Sequence, residues 1–415
     1  MHAIRFVKIS LLLSLAAALL LAVPGLQAKE IVFGYAGDRS GPVRNQLSPL
    51  GDGLHGYIKV FNKQNQLGAG NSIRLFEIDI AYNTPRGVEA YERFKSEGAV
   101  VVLMGSTPVV VALTQRVHDD KIPMLSPGFG SAKGGNGKVY PYLFPIQASY
   151  WSQGAAGIKY ILDKWEGKGK PKIAYLYYDN PAGREPLPIV RDLQKQLGLE
   201  VREFACPPPC IDMRPLVLDI TRRYRADWVL AHVFGSAPTV MLKELSRMGY
   251  DRDRLLGLVW ATGENLMNAA GWETAEGYQT IELSHVGSSR ANPNHPVIKD
   301  IISAYKSDGE EVPESMDTSV YYNRGVAIAA TTAEGIRRAV AAKGNADISP
   351  TDVRNALESI QGFDLNGFMA PVNMTPEDHE GGGFVRVYQV HDGGYRLARD
   401  WFQGYRETVI KHLQE

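Results

Sequence analysis

The sequence predicts an α/β protein built from two doubly wound parallel-sheet lobes with a cleft between them. Three observations carry this. Strand-like apolar runs alternate with helical patterns almost throughout, as parallel sheets covered by helices require. After residue 147 the alternation starts again. One strand-to-helix corner is also written twice, as GSTPVV at 105–110 and as GSAPTV at 235–240.

The elements follow in order. Arg5 and Lys8 precede an apolar run over 9–23, then Pro24-Gly25 and the small Ala28. This is the pattern of a secretory signal peptide, expected over 1–28. The run is short for a membrane span, and no Cys stands near the cleavage region to carry a lipid. What remains is 415 less 28, or 387 residues, enough for two domains. Strands are expected at 30–36, 73–82, 98–104, 122–127 and 142–146, with helices at 51–66, 86–97 and 109–118 between them. The second series places strands at 172–179, 199–205, 226–234 and 254–260, and helices at 152–165, 186–197, 213–225 and 239–248. Many of these strands are apolar on both faces, as strands covered on both sides should be. The last third reads as one long helix over 315–344 and a hairpin turning at His391-Asp392-Gly393-Gly394.

In each corner a Gly allows a tight turn off the strand and a Pro stands at the start of a helix. Thr107 is the expected cap of the first helix; Ala237 takes its place in the second copy. Both corners fall at carboxyl ends of parallel strands, where open α/β sheets bind ligands. Helix N-termini there offer N–H groups to an anion. One copy alone would be a well-capped helix; two in equivalent places point to a shared cleft. The next loop, SPGFG at 126–130, leaves bare backbone at a strand end.

Composition and motifs exclude several function classes. Lys+Arg and Asp+Glu are both 45, so no net charge draws the chain to nucleic acid. Gly128-Phe129-Gly130 starts like a dinucleotide fingerprint, but Lys133 stands where the third Gly belongs. P-loop, G-x-S-x-G and H-E-x-x-H are absent, and no nucleophile, base and orienter assemble in sequence. No cofactor or metal site is expected. Cys206 and Cys210, three prolines apart, are expected to form a local disulfide in an exported protein. That loop is placed away from the cleft, so Cys→Ser at both should spare function.

The order and spacing of GYAGDRSGPV, LGDGLHGYIKVFNKQ, VVLMGSTP, IPMLSPGFGSA, DWVLAHVFGSAPTVMLKELSRMGY and AGWETAEGY resemble the periplasmic substrate-binding proteins of branched-chain amino acid ABC transporters (the Leu/Ile/Val type). The resemblance covers the whole mature chain. It implies a type I periplasmic-binding-protein fold with two lobes joined by three crossovers: 29–147 with 283–372, and 148–282 with 373–415. It implies an exported, non-enzymatic monomer that hands a small solute to the membrane permease of an ABC transporter. By analogy Ser106, Thr107, Gly128, Phe129 and Gly130 meet the ligand carboxylate and Leu50 lies over it. Tyr178, Ala182, Phe234 and Trp260 come from the second lobe. The family's ammonium-holding acid is replaced by Val259-Trp260, with Glu264 a few positions on. An aromatic wall of Phe129, Phe234 and Trp260, extended by Tyr150 and Trp151, fits an aromatic or aliphatic carboxylate as well as an amino acid. Two other functions would suit the same chain: a periplasmic ligand sensor for a signalling partner, and a secreted hydrolase.

Overall fold

The computed structural model describes residues 28–285 and 294–415; the expected leader lies outside these except for its last residue. The first lobe runs β1 (Glu30–Gly37), α1 (Arg44–Lys63), β2 (Ser72–Asp79), α2 (Thr84–Ser96), β3 (Val101–Met104), α3 (Thr107–Asp120), β4 (Met124–Leu125) and β5 (Leu143–Phe144). Its five strands lie in the order β2-β1-β3-β4-β5, all parallel. The second lobe runs α4 (Tyr150–Lys164), β6 (Lys172–Tyr178), α5 (Pro181–Arg184), α6 (Leu187–Leu197), β7 (Glu200–Cys206), α7 (Arg214–Leu218), β8 (Trp228–His232), α8 (Ala237–Arg247), β9 (Leu255–Gly257), α9 (Glu264–Ala270), α10 (Trp272–Ala275) and β10 (Gln279–Glu282). Its parallel strands take the order β7-β6-β8-β9-β10, the same winding as in the first lobe. The doubled corner is explained by this: each copy follows the third strand of its own lobe.

Four further helices return to the first lobe: α11 (Pro296–Ser307), α12 (Ser315–Thr318), α13 (Val320–Lys343) and α14 (Pro350–Leu357). The hairpin β11 (Val385–His391) and β12 (Gly394–Phe402), followed by α15 (Arg406–Gln414), returns to the second. The chain thus passes between the two sheets three times. The hairpin adds antiparallel strands to the β10 edge. Its turn has Asp392 and Gly393 both in left-handed backbone, the arrangement that suits the twist of paired strands.

Three expectations need correction. The helix read over 315–344 is broken at Ser319, which is extended and caps the new helix through the Tyr321 N–H. The first helix begins not at 51 but at Arg44, and runs through Pro49. A proline cannot donate to the carbonyl four residues back; that carbonyl, Asn45, instead accepts from Asn265 Nδ2 at 2.8 Å. The strand read to 82 stops at Asp79, because Ala81 and Tyr82 are both left-handed.

α1 and α13 cross with their backbones in contact. A Cβ on Gly53 would lie 2.0 Å from Tyr322 O, and one on Gly325 2.0 Å from Leu50 O. β3 and β8 are buried along their whole length. Among the described residues no helix is long and apolar enough to cross a membrane.

Candidate functional site

In sheets wound 2-1-3-4-5 the crevice opens at the carboxyl ends of the first and third strands, where the chain direction switches sides. Here those ends are β1 and β3 in one lobe, β6 and β8 in the other. Gly105 leaves β3 where a Cβ would stand 2.8 Å from Ala36 O and 3.0 Å from Leu47 Cδ1. The cap of α3 is Ser106, extended at φ −151°, not Thr107. Thr107 is drawn one step into the helix, and its Oγ1 accepts the Gly130 N–H at 3.1 Å. Ser106 is buried; its Oγ faces the Tyr82 hydroxyl but has no partner of bonding geometry.

The glycine loop turns back on itself through left-handed Gly128 and Gly130. Two of its backbone groups are already engaged. Gly128 O accepts from Trp260 Nε1 at 3.2 Å and from Gln153 Nε2 at 3.1 Å, while the Gly130 N–H goes to Thr107. Two long contacts join the lobes elsewhere: Gln46 Nε2 to Gly235 O at 3.0 Å, and the Ala132 N–H to Glu185 Oε1 at 2.8 Å. Burial pushes the Glu185 carboxyl up to about 7.

A narrow pocket of about 30 Å³ lies between these contacts, lined by Val43, Gln46, Leu47, Tyr82, Gly105, Thr107, Phe129, Tyr150, Ala182, Phe234 and Trp260. Trp260 is its central wall. The indole meets Phe129 edge-on at 5.8 Å and stacks on Tyr321 at 5.6 Å and 7°. Behind it, buried Arg324 sits over both rings and pairs with buried Glu282 at 2.6 Å. The Tyr82 and Tyr150 phenols are pushed up by burial and stay protonated donors. His232, edge-on to Tyr150 at 4.5 Å, is held by burial down to about 4 and is neutral. The lining therefore offers hydroxyl donors and aromatic faces, and no residue of formal charge.

Of the residues singled out from sequence, Thr107, Phe129, Ala182, Phe234 and Trp260 lie in this lining, as does Tyr150. Ser106, Gly128 and Gly130 stand behind it. Leu50 is buried one turn too far along α1, against α13. Tyr178 lies outside the lining and stacks on Phe234 at 4.5 Å. Trp151 points away, with Nε1 on Glu185 O at 3.0 Å. Glu264 accepts the Val320 N–H at 2.6 Å, at the start of α13. Val43, Gln46, Leu47 and Tyr82 were missed. Val43 precedes α1 and Gln46 and Leu47 lie in its first turn, a stretch hidden because the helix was expected only from 51; Tyr82 is swung inward by the two left-handed residues.

The cysteine loop also needs correction. Cys206 ends β7 and is bonded to Cys210, with Cα atoms 5.5 Å apart. That is a carboxyl strand end, and Pro208 and Pro209 line an outer hollow together with Tyr82, Tyr178 and Phe234. The loop stands at the cleft, not away from it. Elsewhere Glu276, His391 and Asp392 bring possible metal ligands within 4.8 Å, but His391 already pairs with both acids at the hairpin turn.

The model of one protein family, described as periplasmic binding protein, matches residues 30–395. No curated protein matches the chain. Among solved structures it is similar to one described as an ABC transporter permease from the Pseudomonas fluorescens group, at 28% identity and a TM-score of 0.82, covering 93% of this chain and 95% of that one. It is similar to a branched-chain amino acid ABC transporter from Thermus thermophilus with bound valine, at 22% identity and a TM-score of 0.80, covering 93% and 99%. It is also similar to a fatty acid ABC transporter substrate-binding protein from Thermomonospora curvata, at 20% identity and a TM-score of 0.76, covering 94% and 95%.

Proposed function

The chain belongs to the periplasmic binding protein family and is a substrate-binding protein, not an enzyme; we propose that it is exported and delivers a small carboxylate, aromatic or branched, to an ABC permease. The lobes are 29–147 with 283–372 and 148–282 with 373–415. Ligand bridges them and stabilises the closed form by contacts that the open form lacks.

The observation that carries the choice of ligand is the lining itself. Valine and a fatty acid, the ligands named for two structural relatives, share a carboxylate and differ in the ammonium. The pocket lining includes the hydroxyl-bearing Thr107, Tyr82 and Tyr150, which suit a carboxylate, and no acid that would suit an ammonium. Burying an unpaired ammonium costs several kcal/mol. A des-amino acid avoids that cost and buries its chain against Phe129, Phe234 and Trp260, at roughly 25 cal/mol per Å².

The test is calorimetry on matched pairs, a branched or aromatic carboxylic acid against its α-amino acid. The acid is expected to bind more tightly. Micromolar leucine or phenylalanine binding that Glu264→Gln abolishes would make Glu264 the ammonium partner and overturn this choice.

A further inference from the structure

The pocket does not end at Phe234. A second hollow continues outward and shares Val43, Tyr82 and Phe234 with it. Its walls are the Tyr178–Phe234 stack and the prolines Pro208 and Pro209. The proline segment is closed into a ring by the Cys206–Cys210 bond and by the Cys210 N–H on Pro207 O at 2.8 Å. A wall so fixed loses little freedom when a ligand packs on it.

The charge of the hollow differs from that of the pocket. Arg44 is the one formally charged residue in its lining. It stands at the first position of α1, a helix of 20 residues with no acid in its first turn. The nearby acids are engaged. Asp38 accepts the Gly41 and Val43 N–H groups, and Asp179 pairs with Arg184 at 2.7 Å. The Tyr178 phenol, pushed up by burial, is uncharged.

We propose that this hollow is a second subsite, and that the chain takes an elongated dicarboxylate with an aromatic or aliphatic middle. One carboxylate lies at the Thr107, Tyr82 and Tyr150 hydroxyls and the other at Arg44. The apolar middle passes Phe234 and rests on the proline wall. This rests on the carboxylate reading of the inner pocket and adds the second anionic end. An ammonium-bearing tail is disfavoured in the hollow by the same Arg44.

The test is calorimetry on matched pairs that differ only in the far end: benzoate against terephthalate, and hexanoate against adipate. Wild type, Arg44→Gln and the double Cys206→Ser, Cys210→Ser protein are compared. In the wild type the diacid is expected to bind about tenfold more tightly, the scale of one charge-assisted contact. In Arg44→Gln that advantage should vanish while monoacid affinity holds; Arg44 is exposed, so the variant should fold. In the double-serine protein the diacid should lose more than the monoacid. Equal binding of mono- and diacid by the wild type would overturn the subsite, as would an equal loss of both in Arg44→Gln. If monoacids bind and diacids do not, the second subsite fails and the inner reading stands. If no carboxylate binds at all, the inner reading fails and takes the subsite with it.

Discussion

Ligand affinity should rise as pH falls from 8 to 6, and Glu185→Gln should remove that dependence. Glu185 stands between α5 and α6 in the second lobe and accepts the Ala132 N–H from the first. Burial is the largest influence on its carboxyl; Ser131, the Ala132 N–H and Lys133 oppose it without cancelling it. Its value is about 7 with the lobes together, against 4.5 for the free group. Between those values the closed form holds more protons than the open one, so closure gains from acid and loses as pH rises. The gain is complete near the lower value and gone above the upper. Going from pH 8 to 6 changes the protonation factor by about tenfold, or ~1.4 kcal/mol. The ligand carboxylates stay ionised across that range. Glu282 is also pushed up by burial, against the pull of Arg324, so the variant is needed to assign the effect. Titration calorimetry of wild type and Glu185→Gln at pH 6, 7 and 8 is the assay. A wild-type affinity flat with pH, or a slope unchanged in the variant, would refute the reasoning.

Three other outcomes are expected. Trp260→Ala should weaken ligand binding by tenfold or more, about the range for losing a buried aromatic wall, while Glu264→Gln, which keeps an acceptor for the Val320 N–H, should change it little; calorimetry on both compares them. Gly53→Ala should lower stability to urea by roughly 1–3 kcal/mol despite the better helix former, because α1 and α13 must separate; a midpoint at or above wild type would count against that crossing. Saturating ligand should make the protein more compact in small-angle scattering, and identical curves with and without it would argue against hinge closure.

The two-lobed α/β architecture was legible because alternation and the repeated Gly-x-x-Pro corner both report strand order indirectly. Thr107, Phe129, Phe234 and Trp260 could be found for the same reason: they sit at strand ends that the pattern locates. What escaped depended on backbone turns without a local signature. The first helix was expected only from residue 51, which hid Val43, Gln46 and Leu47. Tyr82 looked like the end of a strand, since nothing in AYN announces two successive left-handed residues. The glycines of SPGFG were read as open to ligand. The Gly130 N–H and the Gly128 C=O are satisfied by Thr107, Gln153 and Trp260, partners remote in sequence. The disulfide loop was misplaced although the strand expected at 199–205 already set Cys206 at a carboxyl end; what the sequence did not show is that Pro208 and Pro209 come beside Tyr82, Tyr178 and Phe234.

The carbonyl that Pro49 leaves free on α1 has a bearing on how this chain can change. Asn265 reaches the main chain of residue 45, not its side chain. Position 45 can therefore drift through many residue types and keep the link between lobes, whereas positions 49 and 265 cannot drift independently. Restoring an N–H at 49 would return the carbonyl to its own helix and leave Asn265 to find water. A library randomised at 45 should be tolerated broadly, and one at 49 should recover function best where 265 has changed with it.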